Sequence, residues 1–437
     1  MKSLLSIILF LTFAVHCLAG KIESSSINDD PKLPTYALDF KNITEDVNFI
    51  FECDDATMTA TLSKCKKENK DFYKVPGTIK HKKKTYKVTT IGAYAFLNCL
   101  TEEIELPNTI TTIDDGAFWR CTLRNINLPD SLKTIGAYAF SDCIFLTQLN
   151  IPQTVSSIGS HAFSSCCKIK SFELPSNIKI IPHSLFSDCT SLESVTYSDS
   201  ITEIQNCAFD GCTSLKAIKI PETVTEIGRY AINKCYSIKE IYIPQNVSSI
   251  QTYSISECKN LEKIEMSEKN PYFCSVDGIL YNKDTTVVIC GINRKEITFP
   301  KSVNKISWGA FLDCDKIEKV VIPETVDTID GCVFSGCTNL KEVVLHNKLK
   351  AIKYRAFSKC ESLEHIELAE ALELLETNCT FEKCAKLKSI TIPPLIKKIG
   401  GLEFYECNEL TEIRIPKDCE IDEQYEKMPK NVKIIRY

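Results

Sequence analysis

Cysteine carries most of the chemical potential of this chain, which has 23 of them in 437 residues. Thiols at that density can form disulfides, hold a metal or supply a nucleophile. Three pairs, Cys207 and Cys212, Cys332 and Cys337, and Cys379 and Cys384, share a Cys-x4-Cys spacing. Zinc sites usually leave two to four residues between ligands, so the spacing permits a metal. The three pairs lie far apart in sequence, however, and nothing brings two of them to one point. His81, His161, His183, His346 and His365 are scattered, and none stands at the spacing of a nucleophile and its base. The 15 glycines make no phosphate-cradling loop. The expectation is a chain with no catalytic residue, no metal and no cofactor.

The elements that must position these residues explain why. Cys99, Cys121, Cys143, Cys166, Cys189, Cys212, Cys235, Cys258, Cys314, Cys337, Cys360, Cys384 and Cys407 recur in steps of 22, 22, 23, 23, 23, 23, 23, 56, 23, 23, 24 and 23. A phenylalanine stands three residues before most of them, from Phe96 to Phe404, with Ile232 and Ile255 replacing it twice. A fixed period of this length means a solenoid, in which each repeat is one turn packed against its neighbours. In the turn Leu132–Pro152, Leu149-Asn150-Ile151 alternates as a short half-buried strand. Pro152 ends it, lacking an N–H for the ladder. Leu132–Ile135 is a second extended piece, Gly136 turns, and Ala139–Cys143 is expected to form one tight helical turn. Equivalent residues on stacked turns stay about 4.8 Å apart, whereas bonded cysteines want Cβ atoms about 3.8 Å apart. The thirteen cysteines are therefore expected to be buried free thiols that behave as small hydrophobes.

The repeat, Val-x-x-Ile-Gly-x-x-Ala-Phe-x-x-Cys-x-x-Leu-x-x-Ile-x-Ile-Pro, is seen in Val224-Thr225-Glu226-Ile227-Gly228 and in Cys212-Thr213-Ser214-Leu215-Lys216-Ala217-Ile218-Lys219-Ile220-Pro221. It resembles the BspA-like (treponemal-type) leucine-rich repeat over about residues 88 to 416. The resemblance implies a leucine-rich-repeat solenoid of about 13 repeats, one parallel β-strand per turn. It implies a surface or secreted protein that binds host or partner proteins, and it brings no catalytic residue.

The period assigns the chain as follows: a signal peptide over 1–19, a loose leader over 20–35 and an N-terminal β cap over 36–87. A first block of repeats then runs over 88–266, a β-hairpin insertion over 267–299, a second block over 300–416 and a C-terminal cap over 417–437. Cys53 and Cys65, on successive cap strands, form the candidate disulfide. The insertion accounts for the 56-residue step. Its polar tetrapeptide Asn282–Thr285 sits between two β-rich runs, which reads as a hairpin projecting from the stack or separating two arms. Pairing outward from that turn sets Cys290 opposite Asp277 rather than Cys274.

Lys2, the apolar run from Leu4 to Val15 and Cys17-Leu18-Ala19 read as a secretory signal cut after Ala19. No second long apolar run occurs, so the mature chain is expected to have no transmembrane segment and to be secreted or extracellular, either released or associated with the cell surface. With 57 acids against 52 bases, the charge disfavours nucleic acid as a partner. Asn42, Asn246 and Asn378 are candidate glycosylation sites. His81-Lys82-Lys83-Lys84 reads as a solvated basic hairpin tip.

Two surfaces remain for recognition. The outward strand column is polar except at Tyr242, Val321 and Val344, and the turn slot gives a stripe of Tyr94, Tyr138, Tyr230 and Tyr253. Interface hot spots favour large aromatic residues. The function expected is protein–protein binding through the solenoid surface, with a protein or glycan as ligand. The alternative is a structural coat or self-assembling component, and the oligomeric state is left open.

Overall fold

A computed structural model of the chain describes residues 42–66, 70–376, 379–400, 402–421, 429 and 431–437. The signal peptide, the leader, the start of the cap and Asn378 lie outside the described residues.

Ile43–Tyr437 form one unit, a β-solenoid built from two columns of short parallel strands. One column is three-residue strands of the Glu103–Glu105 kind, which pairs Asn125–Asn127 in register. The other is two-residue strands of the Thr112–Ile113 kind, which pairs Thr134–Ile135. The isoleucine of each strand points inward and its neighbours point out. Strands this short cannot stand alone. They persist because each turn buries the apolar row of the next, in one core that runs from Phe49 to Cys419.

Among the described residues the second column holds fifteen rungs, from Thr90–Ile91 to Glu420–Ile421, where the period predicts thirteen. The two extra rungs, Val287–Cys290 and Glu420–Ile421, stack like the others but lack the phenylalanine–cysteine signature on which that count depends.

The helical turn expected at Ala139–Cys143 does not form, and no turn of that kind among the described residues is helical. Two residues per turn, four apart, take left-handed backbone instead: Tyr94 (φ 56°) and Asn98 (56°), Tyr138 (56°) and Asp142 (56°), Tyr230 (56°) and Lys234 (54°). Alternating handedness splits the backbone N–H groups between two tasks. Those of Ala95, Leu97 and Cys99 donate within the turn, to Gly92, Tyr94 and Phe96 carbonyls at 3.0–3.1 Å. Those of Tyr94, Phe96 and Asn98 donate to Asp115, Ala117 and Trp119 of the next turn, at 2.8–3.0 Å. A true helix would spend every N–H internally and leave the next turn unbonded. The left-handed cost, about 1 kcal/mol for each non-glycine residue, is offset by a ladder that satisfies the buried backbone.

The phenylalanines form two stacks. Phe96, Phe118, Phe140, Phe163, Phe186 and Phe209 lie 5.1–6.0 Å apart with planes 17–23° from parallel. Phe311 to Phe404 repeat this at 5.5–6.0 Å and 2–14°. Both are offset stacks of the favourable kind.

The cap is a hairpin, Phe49–Asp54 with Thr59–Cys65, whose second strand runs parallel to Lys84–Ile91 and starts the stack. Its register overturns the expected disulfide: Cys53 faces Ala60 while Cys65 faces Phe49, so the two thiols sit at opposite ends of the hairpin and are not bonded to each other. Cys65 instead comes within hydrogen-bonding reach of Cys99. The basic tip is a two-residue turn at Lys82 (φ 49°) and Lys83 (66°).

The insertion is a three-stranded meander, Phe273–Val276, Ile279–Asn282 and Val287–Cys290, rather than one projecting hairpin. Its third strand turns parallel to Lys305–Ile306 and becomes a rung. Cys274 faces Tyr281 and Cys290 faces Leu280, not Asp277. At the far end, Lys433–Arg436 adds a last parallel strand to Glu412–Ile415.

Candidate binding surfaces

The thirteen repeat cysteines are buried and free. Eleven of them, with Cys290, donate Sγ–H to the backbone oxygen of the aromatic or isoleucine position one turn earlier, at 2.8–3.4 Å. Cys143 donates to Phe118, for example, and Cys290 to Ile255. This accounts for cysteine in the slot: the side chain is as small as the gap and carries one weak donor. Burial pushes these thiols well above the ordinary range, as at Cys121, Cys212 and Cys360. A thiol held protonated is a poor nucleophile and a poor metal ligand. Cys290 is not recognisable from sequence as a member of the row, because it follows no phenylalanine.

In the Cys-x4-Cys pairs the second thiol points into the core. The first, Cys207, Cys332 or Cys379, occupies the left-handed slot (φ 54–62°) outside the core cluster, with Cys207 and Cys332 half-buried and Cys379 buried. Among the described residues no three of His, Cys, Asp or Glu are grouped as metal ligands.

That same slot holds the aromatic stripe. Tyr94 and Tyr138 are joined by Trp119, each 6.1 Å from it, and Tyr138 stacks on His161 at 4.5 Å and 7°. Tyr230 stacks on Tyr253 at 5.1 Å and 6°, with the Arg229 guanidinium 5.1 Å from the first ring. The Tyr253 ring fills the space where a Cβ on Gly309 would stand, and Tyr94 lies similarly on Gly116. Tyr138, Tyr230 and Tyr253 thus each give a ring face to a neighbour along the stack, while Tyr94 meets Trp119 at a tilt and packs on Gly116. A ligand that stacks needs a ring face, so these tyrosines serve the turns first.

The strand face differs. Tyr242, Val321 and Val344 are 44%, 47% and 39% exposed. Val321 and Val344 are register partners on adjacent turns, and Tyr242 lies beside Glu265. Ion pairs between turns line the rest, including Lys74–Glu105 at 2.6 Å and Lys319–Glu342 at 2.9 Å. Each is exposed and worth under about 1 kcal/mol. They leave the face hydrated apart from these three positions and Phe72, which is 45% exposed on the first strand of the column.

Asn246 is exposed in the turn after Pro244, its amide donating to the Glu222 carbonyl at 2.6 Å. Asn42 is partly exposed. Among the described residues no helix is long and apolar enough to cross a membrane.

By sequence, residues 68–193, 179–276 and 289–379 match the BspA type leucine rich repeat region, in six copies. No curated protein matches the chain. Among solved structures, a leucine rich cell surface protein from Faecalibacterium prausnitzii is 25% identical, with a TM-score of 0.67 over 90% of this chain and 98% of that one. A leucine-rich repeat protein from Bacteroides ovatus is also 25% identical, with a TM-score of 0.51 over 92% and 100%. The pneumococcal vaccine antigen PcpA shares the fold, at 20% identity and a TM-score of 0.53 over 90% and 93%.

Proposed function

The chain belongs to the BspA-type leucine-rich-repeat family, and on that premise we propose that it recognises a partner protein non-covalently through its strand face, at or outside the cell surface. The observation that carries this reading is the set of exposed apolar side chains, Tyr242, Val321 and Val344 with Phe72 on the first strand, on an otherwise charged and hydrated face. Large apolar groups standing out of such a face are what a partner can desolvate. The location is supported by the secretory character of residues 1–19 and by the cell-surface description of the F. prausnitzii protein. The reading is non-catalytic: the repeat thiols are sealed and protonated, and His161 and His183 on the turn side are held in ring contacts. Their bonding is structural.

The test is capture from host-cell or matrix lysate by the full chain, against a variant with Tyr242→Ser, Val321→Ser and Val344→Ser. We expect specific proteins retained by the native chain and lost with the variant, while both melt alike. Equal retention by both would remove the strand face from the mechanism.

A further inference from the structure

We propose that Cys65 and Cys99 form a redox site, at which a small-molecule disulfide oxidises the two thiols to a bridge that locks the N-terminal cap onto the first turn. The bridge goes beyond the binding function proposed above and does not depend on it.

The repeat thiols are kept from pairing with one another, because like positions on stacked turns stay about 4.8 Å apart and a disulfide wants its Cβ atoms about 3.8 Å apart. Cys65 escapes that rule by its phase. Within the stack the Phe96 N–H donates to the Ala117 carbonyl at 2.8 Å, and the Phe96 ring lies on that of Phe118. The Cys65 N–H donates to the Ala95 carbonyl at 2.8 Å in the same manner. Cys65 therefore stands in the phenylalanine row, one level before Phe96, and not in the cysteine row. The ring for that level comes from the neighbouring strand: Phe49 is the register partner of Cys65, and its ring lies 5.9 Å from that of Phe96. A small sulfur side chain is thus left in a slot that elsewhere holds a phenylalanine.

The cysteine row reaches backward to that slot at every level. Cys121 donates to the Phe96 carbonyl at 2.8 Å, and Cys143 to the Phe118 carbonyl at 3.2 Å. Cys99 is the first of the row, and the level behind it is that of Cys65. There the two thiols come within hydrogen-bonding reach of each other. Tyr73, buried with its ring 5.7 and 6.0 Å from those of Phe49 and Phe96, brings its hydroxyl within reach of both sulfurs.

Different access orders the steps. Cys65 is half-buried, and Cys99 is 3% exposed. The hydrogen bond with Cys65, and then burial, hold the Cys99 thiol above its ordinary range. Cys65 therefore reacts first: it gives its proton to solvent and attacks the reagent disulfide, forming a mixed disulfide and releasing one reagent thiolate. That step removes the Cys65 S–H from beside Cys99. Cys99 then gives up its proton, with the Tyr73 hydroxyl donating to its sulfur, and attacks the Cys65 sulfur. The Cys65–Cys99 bond forms and the second reagent thiolate leaves. One disulfide is reduced, two protein thiols are oxidised, and two protons pass to the reagent thiolates. The bridge closes a loop from the cap's second strand to the first turn, which restricts the unfolded chain. It acts at an end of the stack, where local opening is easiest.

The experiment uses the full chain under native conditions. It is first reduced, then exposed to oxidised glutathione, quenched in acid, alkylated after unfolding and mapped by mass spectrometry without reduction. We expect the peptide holding Cys65 joined to the peptide holding Cys99, with two hydrogens lost and no glutathione retained. Hydrogen exchange over Phe49–Cys65 should slow by about tenfold or more in the oxidised chain. Cys99→Ala should accumulate glutathione on Cys65, and Cys65→Ser should leave Cys99 alkylated as a thiol. A melt of each variant confirms folding. Should Cys99→Ala fail to fold, brief exposure of the native chain should show the Cys65 adduct before the bridge. Cys65 alkylated as a thiol after long exposure, a lasting glutathione adduct on the native chain, or a bridge from Cys65 to any other cysteine overturns the proposal.

Discussion

The N-terminal cap and the mid-chain insertion launch their stacks from the same local device and differ in what they must hold on to. At the cap, Asp46 accepts from the N–H groups of Asn48 and Phe49, both at 2.7 Å. At the insertion, Asn270 accepts from those of Tyr272 and Phe273, at 2.8 and 2.9 Å. Each is a side-chain turn that feeds a strand beginning at phenylalanine. Asp46 is exposed, and its carboxylate has no hydrogen to give. Asn270 is fully buried, and its amide donates backward to the carbonyls of Pro244 and Val247, at 3.0 and 2.9 Å. The insertion is thus a second starter that is also glued to the turn before it. Asn293 adds a similar bridge, from the Lys259 carbonyl to Asp315.

The largest effect should come from exchanging the two residues. Asn270→Asp keeps the turn but sets a carboxylate against two carbonyl oxygens, and should cost about 3–5 kcal/mol. Asp46→Asn should cost under about 0.5 kcal/mol. Denaturant midpoints of the two variants measure the asymmetry, and equal losses would end the distinction.

A glycine pair sharpens the same contrast. A Cβ on Gly291 would overlap the Phe311 ring, whereas one on Gly77 in the cap meets nothing nearer than 3.5 Å. Gly291→Ala should destabilise by about 1–3 kcal/mol through overpacking. Gly77→Ala should fall within about 0.5 kcal/mol of zero. Thermal melts suffice.

The two regions should also respond to opposite ends of the pH scale. In the cap, hydrogen bonds from Lys84 and then Tyr86 hold Asp55 below its ordinary range. That contribution is present above the unfolded pKa and is lost as the pH falls through the folded one. At the joint, burial, with the facing Asp313 carboxyl adding to it against nearby Lys234, pushes Glu257 above its ordinary range. Its contribution is present below the unfolded carboxylate pKa and is lost as the pH climbs through the raised one, toward neutrality. Glu257→Gln, which mimics the protonated form, should gain on the order of 1–2 kcal/mol on the native chain at pH 8 and little at pH 5. Regional hydrogen exchange should show the cap loosening first in acid and the joint first in base.

The smallest contrast lies in two buried tyrosines. Tyr86 donates its hydroxyl to Asp55 at 2.5 Å, while the Tyr281 hydroxyl is buried without a partner among the described residues. Tyr86→Phe should cost about 1 kcal/mol. Tyr281→Phe should cost nothing or stabilise slightly, since it removes an unpaired polar atom. Chemical denaturation of the two variants checks the pair.

The repeat is legible in the sequence because its core is written in chemically distinctive letters. Phenylalanine and cysteine at a fixed offset give the solenoid, the buried thiols' slot and the position of the break. What escapes is set by backbone handedness rather than side-chain pattern. Left-handed positions are filled here mostly by side-chain-bearing residues such as Tyr, Lys, Asp, Ser and Cys, with glycine only at Gly116, Gly211, Gly309 and Gly336, so glycine marks few of them and the segment resembles a helix. In the insertion, Asp277-Gly278 is a strong turn signal, but the longer polar tetrapeptide Asn282–Thr285 competes with it and masks the first hairpin. Tyr242, Val321 and Val344 stand out by type alone.

The thiol-to-carbonyl bonds reach one turn upstream, so the repeat as written in sequence and the module that holds together are out of phase. Any cut at a sequence boundary leaves an idle sulfur donor on one piece and an incomplete acceptor on the other. Lengthening or shortening this protein by whole units therefore heals at a single junction wherever the splice falls. Its two extremities, by the same logic, cannot be exchanged: one must terminate donors and the other acceptors, and each needs a cover of its own kind.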